Sequence, residues 1–272
     1  MPRRIIYDSV MNFHQPEKGY RFSADSISLA DFVDLSGVRR AADLGAGCGV
    51  VGLAALENIR RRGNLQAGPA ETDVGTHARA VDKRPLTGYL SQPGRDINDR
   101  AAFEAGALSI PTDGGSPNPA LHCLGLGPDV FYFIEREAEL LESLAKNLAL
   151  YQPRTSCRLE IHAGDWRDIS ADDLGGALDY IMVNPPYFKV PDSRPSTRPS
   201  IDAARREIFG GLPELLASIS RLLSHSGQAA LILPAFRSRE IQEASKQCGL
   251  TIETVRPVSN LASSPLLWLF SI

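Results

Sequence analysis

The segment that most restricts the fold runs from Val38 to Leu56. Val38-Arg39-Arg40-Ala41-Ala42-Asp43-Leu44 reads as a short strand, Gly45-Ala46-Gly47-Cys48-Gly49 as a glycine turn, and Val50-Val51-Gly52-Leu53-Ala54-Ala55-Leu56 as the opening of an apolar helix. A strand that passes through a tight turn into a helix is half of a βαβ unit, and such units build parallel sheets covered by helices. Glycine permits unusual φ and lets a ligand approach the backbone, while the helix start offers unpaired N–H groups.

The rest of the chain repeats this rhythm. Val130-Phe131-Tyr132-Phe133-Ile134, β-branched and aromatic, predicts a buried strand ending in Glu135. Cys157 to His162 predicts another, leading into Ala163-Gly164-Asp165-Trp166, and Leu178 to Val183 a third. Ala229 to Leu233 follows Gly227-Gln228, and Leu250 to Val255 with Leu266 to Ile272 read as a closing antiparallel pair. Helical periodicity marks Ser23 to Val33, Glu137 to Leu150, a stretch within Ala203 to Leu223 whose start Gly210-Gly211 can mark, and Arg237 to Cys248. Arg60-Arg61-Arg62 reads as the basic C-terminal end of the first βα helix. The expectation is a Rossmann-like α/β fold, a seven-stranded, mostly parallel sheet with an antiparallel C-terminal strand and helices on both faces.

One stretch breaks the pattern. From about Gly63 to Pro128 the chain is rich in Gly, Pro, Ala, Asp and Arg with little periodicity, and Asp43 and Glu135 lie 92 positions apart, where one βαβ repeat needs roughly 30. An insertion in a single domain spanning 1–272, loosely folded or disordered, is the simplest account.

Two sites for small-molecule chemistry stand out. Gly47-Cys48-Gly49-Val50-Val51-Gly52 matches G-x-G-x-x-G, which by itself leaves a dinucleotide and S-adenosylmethionine both open. A carboxylate at Glu135 can accept both ribose hydroxyls of a nucleoside cofactor, and one at Asp165 can accept from its adenine amino group with Trp166 as apolar cover; each also suits an ordinary surface carboxylate after a strand. Downstream, Asn184-Pro185-Pro186-Tyr187 ends the strand at Val183. An exocyclic amine is a poor nucleophile because its lone pair is delocalised. A site for it must hold both N–H groups and leave the lone pair free, which the Asn184 oxygen and the Pro185 carbonyl can do. The prolines stiffen the loop, and Tyr187 can stack on a base. The same four residues also suit an ordinary strand-ending turn.

Composition narrows the class. The chain has 272 residues, 43% hydrophobic, with a net charge of −3, which fits one enzyme-sized domain and argues against a generally nucleic-acid-coating protein. No stretch approaches the roughly 20 apolar residues of a membrane span, and the N-terminus turns polar too soon for a secretory signal, so a cytoplasmic location is expected. Cys48, Cys123, Cys157 and Cys248 lack C-x-x-C spacing and the five histidines lack ligand spacing; reduced thiols and no metal are expected, with His122-Cys123 adjacent by coincidence. Between Lys189 and Arg206 the chain holds Lys189, Arg194, Arg198, Arg205 and Arg206 against Asp192 and Asp202. That patch can meet phosphates flanking a base drawn into the site, or simply be a solvated Pro/Ser-rich loop.

The form Asp43-Leu44-Gly45-Ala46-Gly47-Cys48-Gly49 resembles the first motif of S-adenosylmethionine-dependent methyltransferases. Together with Gln15 to Ser26 and Asn184-Pro185-Pro186-Tyr187-Phe188, it resembles the bacterial tRNA1(Val) adenine N6-methyltransferases over residues 5–60 and 129–257. That resemblance implies S-adenosylmethionine as cofactor and methylation of an adenine beside the anticodon of a tRNA. For the cofactor it implies Asp43, Gly45, Gly47, Gly49, Glu135, Asp165 and Trp166, with Phe22 as cover. For catalysis it implies Asn184, Pro185, Pro186 and Tyr187, and for substrate Tyr187, Phe188, Lys189, Arg194 and Arg198. The insertion departs from the family's pattern, and the ending at Ile272 predicts a short edge strand. The tetrad is shared with enzymes acting on release-factor glutamine and DNA adenine and, with Phe for Tyr, on ribosomal RNA guanine. Only 42 residues precede Asp43, fewer than the release-factor enzymes carry, and no segment outside the insertion is free to serve as a DNA target-recognition domain. A non-catalytic RNA-binding module on the same fold is the reading from a different class.

Overall fold

The computed structural model describes residues 13–16, 22–66, 127–187, 210–259, 261 and 264–272. Nearly all of the insertion, together with Phe188, Lys189, Arg194, Arg198 and the His122-Cys123 pair, lies outside the described residues.

Among the described residues seven strands form one sheet: β1 (Arg40–Leu44), β2 (Val130–Glu135), β3 (Arg158–Ala163), β4 (Leu178–Val183), β5 (Leu223–Pro234), β6 (Thr251–Pro257) and β7 (Pro265–Ser271), in the spatial order β3-β2-β1-β4-β5-β7-β6. The first five pair in parallel and β7 runs antiparallel to both its neighbours. Every residue of β2 is buried, as a central parallel strand requires. Helices α1 (Ala24–Phe32), α2 (Val50–Gln66) and α3 (Ala138–Tyr151) cover one face, where Leu29, Leu53 and Leu144 join one apolar cluster with Phe131, Phe133, Ala230 and Ile232. Helices α4 (Leu212–Leu222) and α5 (Ser238–Gln247) cover the other, where Leu216, Ile219 and Ile241 meet Ile134, Ile181 and Leu231. Strand residues alternate between the two cores, as period-2 geometry dictates. None of the described helices is long and apolar enough to cross a membrane.

Three expectations need adjustment. The last strand is no short edge: β7 is paired along its whole length from Pro265 to Ser271, and β6 forms the edge. Strand β5 begins at Leu223 rather than Ala229, directly after α4, with a register shift beside Leu178; a Cβ at Gly227 would sit 2.8 Å from the Leu178 carbonyl oxygen, so the close backbone approach demands glycine there. The run Arg60-Arg61-Arg62 lies mid-helix, and Arg60 and Arg61 close on the fully buried carboxylate of Glu57 at 2.7 and 3.0 Å. The three arginines cannot all act on the helix end, because a buried carboxylate without cations would be costly.

Candidate active site

In the order β2-β1-β4 the chain reverses direction of travel across the sheet at β1. The loops after β1 and β4 therefore leave the same sheet edge side by side, with Asp43 in register with Met182. Open α/β sheets form their ligand crevices at such a point. Here a cavity of about 170 Å³ opens between the glycine loop and the Asn-Pro-Pro-Tyr loop. Gly45, Gly47, Glu135 and Trp166 line it together with Asn184, Pro185, Pro186 and Phe22.

The glycine loop divides into two parts with different tasks. Gly45 and Gly47 have φ of +72° and +59°, and a Cβ on either would meet no atom within 4 Å, so their backbone faces open space. Gly49 and Gly52 instead serve packing: a Cβ there would fall 2.6 Å from Leu144 and Phe133 respectively, which draws α2 onto α3 and the sheet. Gly49 accordingly lies off the cavity wall.

Asp43 is also off the wall. Only 1% exposed, it sits beneath the loop and accepts the Gly52 N–H at 3.2 Å, satisfying a donor of the first turn of α2. Burial pushes its carboxyl up to about 7, opposed by the Gly52 bond and assisted by the nearby Glu135. The folded chain thus keeps a proton that the unfolded chain releases near 3.8. This contribution to stability is complete below pH 4 and is lost as pH rises through 7, a swing on the order of 4 kcal/mol. Asp43→Asn is expected to flatten that slope. Denaturant unfolding at pH 5 and pH 8 checks it, and an identical pH dependence in variant and wild type would contradict it.

Glu135 is the fixed acceptor of the site. One carboxylate oxygen takes the N–H groups of Arg136 and Glu137, both at 2.8 Å, and the other takes the Gly47 N–H at 2.7 Å. Burial raises its pKa against those three bonds. The residue therefore ties the tip of β2 to the glycine loop, and of the roughly four lone-pair sites of a carboxylate about one remains.

Asp165 is placed differently from the expectation of a free acceptor. Arg136 and Arg167 each reach it at 2.7 Å. Burial would raise its pKa, but Arg167 and Arg136 outweigh that and hold it low. Gly164 and Trp166 occupy the wall instead, and Trp166 lies beneath the Arg167 guanidinium at 5.9 Å. Cys48 also lines the cavity, with its thiol pushed by burial up to about 11, so it stays neutral.

The tetrad is braced by a helix to which sequence reasoning gave no role at the site. Asn184 Nδ2 donates to Ser26 Oγ at 3.0 Å, and the Tyr187 hydroxyl donates to Asp25 Oδ2 at 2.6 Å. Both partners belong to the first turn of α1. The Ser26 bond uses the amide nitrogen of Asn184, which directs Oδ1 elsewhere. Arg237, 3% exposed, donates to the Pro186 carbonyl at 3.4 Å while paired with Glu240 at 3.0 Å. Tyr187 is not on the cavity wall. Asp25 and Ser26 fall within the Gln15 to Ser26 segment that carries the resemblance, but nothing in the sequence assigned either a role at the tetrad; for Arg237 there was no signal. Ser26→Ala is expected to lower turnover about 2- to 10-fold, the worth of one hydrogen bond, with no added effect in an Asn184→Ala background. Steady-state kinetics on the single and double variants decide it.

No family model matches this sequence, and no curated protein matches it. Among solved structures, the fold is similar to a "putative RNA methyltransferase" from Pyrococcus horikoshii, at 16% identity and a TM-score of 0.50, over 100% of this chain and 96% of that one. Trm5b from Pyrococcus abyssi (11%, TM-score 0.48, 96% of this chain and 55% of that one) and the ribosomal protein L11 methylase from Lactobacillus delbrueckii subsp. bulgaricus (12%, 0.47, 91% and 76%) are also similar. The fold is the Rossmann-like fold of class I methyltransferases.

Proposed function

We propose that this chain is an S-adenosylmethionine-dependent methyltransferase that methylates an exocyclic amine, N6 of an adenine in tRNA, in the cytoplasm. The observation that carries the reading is that Asn184 and Pro185 share one cavity with Gly45, Gly47 and Glu135. An amine clamp and a nucleoside cradle are useful together only if a group passes between them.

The residues fit the cofactor. Open backbone at Gly45 and Gly47 would leave room for its amino-acid end, the lone pair remaining on Glu135 would be available to its ribose, and Gly164 with Trp166 would cover its adenine, with Asp165 contributing by fixing Arg136. S-adenosylmethionine, when bound, supplies a methyl group already activated by its sulfonium. Rate then depends on alignment, which this chain's own groups provide. Asn184 Oδ1 and the Pro185 carbonyl accept the two N–H groups of the amine, Ser26 braces the Asn184 amide, and the prolines hold both acceptors before substrate arrives. Tyr187, next to Pro186 and just off the cavity wall with its hydroxyl braced on Asp25, is proposed as the face on which an entering base stacks. Phe188, Lys189, Arg194 and Arg198 follow directly in sequence and are proposed to meet the flanking nucleotides.

The test is transfer of labelled methyl from S-adenosylmethionine to unmodified tRNA, ribosomal RNA, DNA and release factor in parallel, followed by mapping of the modified nucleoside. Label in N6-methyladenosine of tRNA is the expected result. Label in glutamine, guanine or DNA would move the substrate, and cofactor binding with no acceptor would favour a non-catalytic binding module.

A further inference from the structure

Asn147 lies in α3, away from the cavity wall and the tetrad, and is 3% exposed. Its carboxamide is nevertheless occupied entirely by backbone. The oxygen accepts the His14 N–H at 2.7 Å, and the nitrogen donates to the His14 carbonyl at 2.9 Å and to the Cys48 carbonyl at 2.8 Å. An asparagine within a helix is a weak helix former, and a buried carboxamide is costly unless its partners are present. Of the side chains, only a primary amide offers two donors and an acceptor in one plane, which matches a peptide N–H and C=O plus one further carbonyl.

Each partner leads to the cofactor cavity. Cys48 is part of the glycine loop and lines the cavity. His14 belongs to a strap, residues 13–16, that reaches the cavity through Phe22. Gln15 Oε1 accepts the Phe22 N–H at 3.3 Å, Phe13 meets the Phe22 ring edge-on at 5.8 Å between centroids, and Phe22 lines the cavity. One buried amide thus joins the glycine loop to the strap that contacts Phe22, and both Cys48 and Phe22 line the cavity.

We propose that Asn147 is a positioning residue for the cofactor site, locking the glycine loop and the N-terminal strap into one arrangement so that Phe22 covers the cavity while the loop holds its ligand-binding shape. The proposal rests on the cavity being the S-adenosylmethionine site. It predicts an effect on cofactor affinity, separate from the transfer step that Asn184 serves.

The test uses the full chain with Asn147→Ala and Gln15→Ala, singly and combined. S-adenosylmethionine binding is measured by calorimetry, alongside thermal unfolding of the unliganded protein and kcat at saturating cofactor. Asn147→Ala is expected to weaken binding about 10-fold and Gln15→Ala about 3-fold, the scale of one or two hydrogen bonds, with kcat within about 3-fold of wild type. Because both act through the strap, the double variant should bind only about 10-fold more weakly than wild type, clearly short of the roughly 30-fold product that additivity requires. Gln15→Ala lies outside the core and carries the test if Asn147→Ala does not fold. Wild type that binds while the folded variants bind as tightly would overturn this inference alone, as would full additivity or a loss confined to kcat. Wild type that binds no S-adenosylmethionine would overturn the underlying reading as well.

Discussion

Replacing Asn184 by alanine is expected to lower methyl-transfer turnover about 10²- to 10³-fold, the range seen when one preorganised polar group is removed from a reacting centre, while leaving S-adenosylmethionine affinity within about 3-fold. The reason is local. The Asn184 amide nitrogen is committed to Ser26, so its oxygen is the acceptor left for substrate. That interaction matters most as the amine nitrogen begins to share its lone pair and its N–H groups become more acidic. Binding of the cofactor alone involves no such change. Single-turnover kinetics with calorimetric binding separate the two quantities. Equal losses in both would mean that Asn184 shapes the cavity instead of gripping the amine.

Removing the Glu135 carboxylate should act the other way round. Glu135→Ala leaves the N–H groups of Gly47, Arg136 and Glu137 without their acceptor, at a cost on the order of 1–3 kcal/mol for each donor that stays buried. The glycine loop loses its tie to β2, and cofactor affinity is expected to fall at least about 100-fold, the equivalent of roughly 3 kcal/mol. Glu135→Gln keeps one carbonyl oxygen and should retain part of both stability and affinity. Calorimetry and denaturant unfolding measure the pair. Unchanged affinity in a folded Glu135→Ala protein would remove Glu135 from the site.

These two residues also show what could be read from the chain itself. Glu135 follows five apolar residues and Asn184 follows four; each ends an uninterrupted buried strand, and parallel topology sends all such ends to one edge of the sheet. Strand type and order of motifs were enough to bring the two together. The same logic did not say which way Asp43 and Asp165 turn, because a carboxylate near a strand end can turn into the protein as readily as out of it. Asp43 turns to the Gly52 amide, and Asp165 to two arginines. Asp25, Ser26, Asn147 and Arg237 were not legible as parts of the site, since each acts through a long-range hydrogen bond to a segment remote in sequence. Periodicity marks a polar residue on a helix but does not name its partner. The run Arg60 to Arg62 was read by its position relative to a helix end, and burial of Glu57 set its actual task.

The central claim is that one cavity holds the methyl donor and the amine clamp together. A crystal structure of the chain bound to S-adenosylhomocysteine tests it most directly. The account predicts the nucleoside between Glu135 and Trp166, the amino-acid end over Gly45 and Gly47, and the sulfur facing Asn184 and Pro185. A ligand bound elsewhere, or one in this cavity with its sulfur turned away from Asn184, would contradict it.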